Sequence, residues 1–212
     1  SEKLAMMGVE VSPAEILVSG QAVARYLRRE YPAGTRVHVF GMPALAQAMV
    51  EEGFIPADDD VKVVVAGVNL EVTYPKIKRA VDLIRRGARF IATNLDPNMP
   101  SEDGMLPGSG SMVAMLATAS ETRPTAIGKP EPIMYELAMA QMGAQPETTA
   151  AVGDRVATDI VGGKRAGLTT ICVLSGASDR AEAETAGADF VFVDIGDLLD
   201  AWRRALADQS IA

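Results

Sequence analysis

Between residues 61 and 68 the chain is almost continuously apolar, the pattern of a strand covered on both faces and not of one with a wet side. Such strands belong to parallel sheets, whose crossover connections lay helices over each face. The rest of the chain repeats the theme. Short β-rich runs at 16–18, 37–40, 89–92, 150–152, 169–174 and 190–193 alternate with helical patterns near 21–29, 44–52, 74–86, 111–119 and 133–142. Further helices are expected up to Ala166, near Ala181 and up to Leu206. Strand–helix alternation of this kind predicts an α/β fold built on parallel, helix-covered sheet. Gly53, Gly87 and Gly143 stand where three of the helices should stop. Residues 97–110 read as a loop, long enough to suggest a function of its own.

The bulk numbers remove several classes of protein. A chain of 212 residues can bury one core, or one core and a smaller cap. A net charge of −8, with basic residues scattered, argues against a nucleic-acid partner, which needs a basic face to displace counterions. The single cysteine, Cys172, excludes an internal disulfide and is expected to be a buried, inert thiol. His38 alternates with apolar neighbours and is expected on the polar side of a strand. No apolar run approaches the roughly 20 residues of a membrane span, and no signal-peptide layout opens the chain, so a cytoplasmic protein is expected.

The chemistry is concentrated between Gly128 and Gly176. Asp154 stands just past the carboxyl end of an apolar strand, where open α/β sheets bind ligands. Asp159, five residues on, is expected at the start of the next helix, where the dipole favours a carboxylate. Two carboxylates with no histidine or cysteine nearby suit a hard cation such as Mg²⁺, which takes a few oxygens together with water and substrate phosphate. Lys129, before Pro130, presents a compact ammonium suited to phosphate. The metal pair and the lysine together point to a phosphate ligand.

Gly128-Lys129-Pro130 and Gly153-Asp154…Asp159 resemble the third and fourth motifs of the haloacid-dehalogenase phosphatases. The run from Gly153 to Gly163 is similar to the branch containing p-nitrophenyl, phosphoglycolate and glycerol-phosphate phosphatases. Residues 92–96 and 106–111 are similar to that branch's large α/β cap. The resemblance implies that Lys129 steadies the nucleophile and the phosphate, that Asp154 ligates Mg²⁺, and that Asp159 ligates it or holds its waters. Asn94 and Asp96 match the cap's substrate-side motif, although an Asn/Asp turn before Pro97 accounts for them equally well. The glycines of 108–111 are compatible with an anion nest or with a plain helix cap.

The family's nucleophile is an N-terminal Asp-x-Asp, followed by a Thr/Ser-containing phosphate motif, and neither is present. Asp58-Asp59-Asp60 does not serve, because it precedes its strand. Leu4 and Met7, three apart ahead of Gly8, look like the end of a helix, so a preceding unit of roughly 40–50 residues is expected to be missing. The domain map that follows has residues 1–20 and 123–212 in a Rossmann-like core and residues 21–122 in an inserted cap. The expected activity is Mg²⁺-dependent hydrolysis of a small phosphomonoester such as glycerol phosphate, phosphoglycolate or a sugar phosphate. It would pass through an aspartyl-phosphate, with no nucleic-acid or membrane partner, and a homodimer is compatible with it. A non-catalytic module that holds metal and phosphate is the alternative. A dinucleotide enzyme is disfavoured, since no G-x-G-x-x-G follows a predicted strand.

Overall fold

The structure, a computed structural model, describes residues 2–101 and 104–209. The chain divides into two compact units between Gly128 and Lys129.

The first unit opens with a short helix α1 (Glu2–Ala5), which Gly8 follows at φ +77°. It then carries helices α2 (Ser19–Arg28), α3 (Pro43–Glu51), α4 (Tyr74–Arg85) and α5 (Ser109–Ser120). Its strands are β1 (Arg36–Phe40), β2 (Ile55–Pro56), β3 (Val63–Ala66), β4 (Arg89–Ala92), β5 (Asn98–Ser101), β6 (Gly104–Pro107) and β7 (Thr125–Ala126). Five of these strands form one parallel sheet in the order β2-β1-β3-β4-β7. All four residues of β3 are buried, as its unbroken apolar run requires. Each valine shielded from water there contributes about 1.5–3 kcal/mol, so a single Val64→Asp would remove that gain and bury an unpaired charge.

The helices obey simple local rules. In α4, Ile77, Ala80, Val81 and Ile84 recur at helical spacing, and the last three are buried in the same cluster as Phe40, Val64, Phe90 and Leu116. Pro75 stands in the first turn, where its missing N–H costs nothing, and Gly87 at φ +97° ends the element.

Three expectations fail in this unit. Residues 16–18 are extended but enter no ladder among the described residues, since no strand lies alongside them. The segment 97–110 is not structureless: β5 and β6 pair antiparallel, with Met99 opposite Leu106. Periodicity missed the pair because its prolines and exposed side chains carry no alternating buried face. His38 is buried, since β1 is an interior strand, and its Nδ1 lies 3.2 Å from the Ala57 carbonyl and 3.1 Å from the Asp58 carboxylate. Asp58–Asp60 does precede β3 as read, with Asp58 tied to His38 and Asp59 to Arg36. Strand β7 is hydrogen-bonded to β4, and the compact unit runs on to Gly128.

The second unit holds helices α6 (Ile133–Met142), α7 (Val161–Arg165), α8 (Arg180–Thr185) and α9 (Ile195–Gln209). Its strands β8 (Ala150–Gly153), β9 (Thr169–Val173) and β10 (Phe190–Phe192) form a parallel sheet in the order β10-β9-β8. Gly143 closes α6 in the left-handed conformation at φ +64°. A reciprocal capping box between Asp179 and Glu182 starts α8. Trp202 of α9, with Leu198 and Ala201, lines a shallow apolar cleft of about 330 Å³ against Ile171, Phe190 and Phe192. Strands β10 and β8 are the sheet's edges among the described residues, and Val152 on β8 is 44% exposed.

Candidate active site

Lys129, the first residue of the second unit, follows Gly128 and forms a cis peptide with Pro130. Its Nζ donates to Asp159 Oδ1 at 2.6 Å. The lysine side chain is 41% exposed and the aspartate side chain 11%, so a mostly buried carboxylate meets an ammonium that still reaches solvent. The other oxygen, Asp159 Oδ2, accepts the Arg155 backbone N–H at 3.2 Å.

Asp159 sits in a π-helical turn, Val156–Ile160, ahead of α7, and not at the start of a regular helix as its position in the sequence suggests. Turns of this kind carry one residue more than the α form and recur at functional sites. The carboxylate lies back over the end of β8, because Gly153 has no side chain there. A Cβ on Gly153 would fall 2.4 Å from Asp159 Cγ.

Asp154 directly follows β8. Its Oδ2 accepts the Ala177 N–H at 3.0 Å, and its own carbonyl accepts the Ser178 N–H at 3.0 Å. Ser178 Oγ in turn accepts the Val156 N–H at 3.0 Å, so the segment after β9 is laced to the segment after β8. Here too a glycine makes room: a Cβ on Gly176 would come within 2.0 Å of Asp154 Oδ2. The two carboxylates act on a common neighbour, Cys172. Burial is the first cause that pushes this thiol's pKa up, and the charges of Asp154 and Asp159 follow. The cysteine is buried, as expected.

Sequence reasoning missed Tyr135. From the first turn of α6 its O–H donates to the Asp159 main-chain carbonyl at 3.1 Å. Burial, then the negative charge of Asp159, raises its pKa, which keeps the phenol protonated as a donor. The position carries no motif that would mark it, and a tyrosine at helical spacing reads as packing. Gly176 and Ala177 were hidden differently, because their part is played by absent atoms and by a backbone amide.

Asn94 and Asp96 lie in the first unit, just past β4. A cleft of about 440 Å³ opens there at the carboxyl ends of β1, β3 and β4, lined by Met42, Leu45, Gly67, Thr93, Asn94 and Ser109, among others. Asn94 Oδ1 accepts the Asp96 N–H at 3.2 Å, so the Asn/Asp turn before Pro97 does form. The anion nest does not. The Gly108 and Gly110 amides donate to the carbonyls of Pro97 and Asp96, and added Cβ atoms would meet backbone oxygens at 2.5 and 2.2 Å. Those glycines let the start of α5 press against residues 95–98.

Asp154 and Asp159 carry carboxylate oxygens, the donor type a hard divalent cation takes, and those of Asp159 are held by Lys129 and the Arg155 N–H. Among the described residues no group of three or more His, Cys, Asp or Glu residues is arranged around a cation site, so water and a substrate oxygen would have to complete the shell. No helix of the described residues is long and apolar enough to cross a membrane.

Known proteins resemble this chain over most of its length. The family described as HAD-hydrolase-like matches residues 126–198, and that of haloacid dehalogenase-like hydrolases matches residues 1–55. The dihydroxyacetone phosphatase of Corynebacterium glutamicum (strain R) is 37% identical over 210 residues, which are 98% of this chain and 76% of that protein. The p-nitrophenyl phosphatase structure from Archaeoglobus fulgidus is 32% identical, with a TM-score of 0.88 over 94% of this chain and 79% of that one. The glycerol phosphate phosphatase of Mycobacterium tuberculosis, solved in complex with magnesium, is 34% identical, with a TM-score of 0.81 over 86% of this chain and 56% of that one. Strand-end carboxylates, a bridging lysine and relatives of this closeness lead to one assignment: the chain belongs to the haloacid dehalogenase-like hydrolases, among the phosphatases of subfamily IIA.

Proposed function

We propose that the protein is a Mg²⁺-dependent phosphatase of small phosphomonoesters such as glycerol phosphate, dihydroxyacetone phosphate, phosphoglycolate or sugar phosphates, acting in the cytoplasm. The observation that carries the reading is the Lys129–Asp159 bridge beside Asp154, at the carboxyl end of β8. Lys129 sets its charge against the phosphate, and the solvent-reaching half of its side chain leaves room for one. Asp154 and Asp159 hold the metal, which when bound supplies charge neutralisation to the phosphate oxygens. Most of the catalysis is then positioning and electrostatics. The covalent step passes through an aspartyl-phosphate whose aspartate is not among these 212 residues. The Asp-x-Asp they do contain, Asp58–Asp60, is tied to His38 and Arg36 in the first unit.

In this reading residues 21–122 form the cap, and residues 1–20 and 123–212 belong to the core. Asn94 and Asp96 meet the organic part of the substrate. The relatives' printed names, which cover dihydroxyacetone, glycerol phosphate and p-nitrophenyl phosphate chemistry, support the substrate class. The magnesium in the mycobacterial neighbour supports the cation. The test is phosphate release from these esters by the full-length protein, with Mg²⁺ and with excess chelator. Release should need the cation, and Asp154→Asn should lose most of it. Undiminished release in chelator removes the metal assignment. No release from any ester leaves a module that binds phosphate and metal without turnover.

A further inference from the structure

Asp159 is gripped twice by one stretch of chain. Lys129 takes its carboxylate, and Tyr135, a few residues on, takes its main-chain carbonyl. The tyrosine ring packs against Met139, Ala151 and Leu168, so its base is set in the apolar layer shared by α6 and β8. Its edge runs alongside α7, where a Cβ on Gly162 would come within 2.7 Å of Cε2. A phenol seated this firmly has little freedom to point elsewhere, and its O–H is spent on one carbonyl inside the π-helical turn. That turn is wider than an α-helical one, and within it the Asp159 N–H donates to the Arg155 carbonyl at 2.7 Å. Tyr135 adds a hold from outside the turn on the carbonyl of Asp159, while the Arg155 amide and Lys129 hold its carboxylate.

We propose that Tyr135 is a positioning residue for the metal site, acting through the backbone of Asp159. The inference rests on the metal reading given above. Tyr135→Phe keeps the ring and its packing and frees the carbonyl, so it separates positioning from core filling.

The experiment is a calorimetric titration of the full-length protein with MgCl₂ alone, run on wild type and Tyr135→Phe, with turnover measured across a Mg²⁺ series. The substitution should weaken Mg²⁺ binding ~3- to 10-fold, the change that one neutral hydrogen bond carries. It should shift the melting temperature by no more than about 3 °C. Saturating Mg²⁺ should bring turnover of the variant back to within about twofold of wild type, which a packing defect would not allow. Mg²⁺ affinity unchanged within twofold overturns the proposal, as does a turnover deficit that added Mg²⁺ fails to relieve. A wild type that binds no Mg²⁺ strikes the metal reading itself, a result distinguishable from either of these.

Discussion

Gly176 and Gly143 would each gain a single methyl group on substitution by alanine, with opposite consequences. At Gly143 the new Cβ meets nothing within 4 Å, and only the left-handed φ of +64° opposes it. Gly143→Ala should therefore cost about 1 kcal/mol of stability and leave activity alone. At Gly176 the methyl would fall 2.0 Å from Asp154 Oδ2, so the carboxylate must move. Gly176→Ala should raise the Mg²⁺ concentration for half-maximal turnover at least ~10-fold and cut turnover ~100-fold, as misplaced reacting groups do. Melting curves and Mg²⁺ titrations of the two variants check both statements; equal effects would mean that Gly176 is only a turn residue. Lys129→Ala touches both stability and turnover. Removing the ammonium leaves the mostly buried Asp159 carboxylate without its partner, which costs stability, and an ammonium facing a developing phosphate charge is worth several kcal/mol to turnover. Turnover at a temperature well below the melting point should fall by orders of magnitude, and a variant within twofold of wild type there would make Lys129 a bystander.

Between elements, the joint from β9 to the turn before β10 is made by Asp189, whose Oδ2 accepts the Thr170 N–H at 2.8 Å and the Thr170 hydroxyl at 2.6 Å. These bonds, the hydroxyl first, hold the Asp189 pKa below its ordinary value, with Lys164 adding to them. A carboxylate with a depressed folded pKa adds stability above its unfolded pKa of about 3.9, and loses it as pH falls through the folded value. Asp189→Asn should accordingly melt below wild type at neutral pH, and the two curves should converge as the pH drops below about 4. A gap that stays constant in acid would assign the loss to geometry and not to charge. The segment from Asn94 to Ser111 makes a different element-scale prediction. With the 94–96 turn and the β5–β6 pair at the same end of the five-stranded sheet, substituting Asn94 or Asp96 should reorder phosphoester preferences more than it slows a small generic ester. A uniform drop across substrates would make them turn residues. These elements also show what a sequence conceals. The buried runs of β3 and β9 and the glycine stops of α4 and α6 were legible, because burial and left-handed backbone impose residue types directly. The order of Lys129, Asp154 and Asp159 was on view as a spacing, and the contact between the first and last of them is what the structure adds. The β5–β6 pair, the π-helical turn and the Tyr135 bond were not legible, since each is fixed by hydrogen bonds to backbone groups, which place no demand on composition.

For the whole chain, alternation of strand and helix gave the α/β class, but it could not say that the parallel strands fall into separate sheets of five and three. Nor could it place β7, two residues long and recognisable only by its pairing with β4. Edge protection differs between the sheets. The larger one ends in β2 and β7, both very short and one carrying Pro56, which offer little to an incoming strand. The smaller one presents β8, with Val152 exposed. The single tryptophan makes the unfolding of this protein easy to misjudge. Trp202, 57% exposed on α9, borders a cleft formed wholly within the second unit, so its emission is silent about the five-stranded sheet. A thermal scan read only by fluorescence would call the protein unfolded, or intact, on the evidence of α9 alone. Far-ultraviolet dichroism reads both units, and a gap between the two midpoints would mean that they melt as separate cooperative bodies.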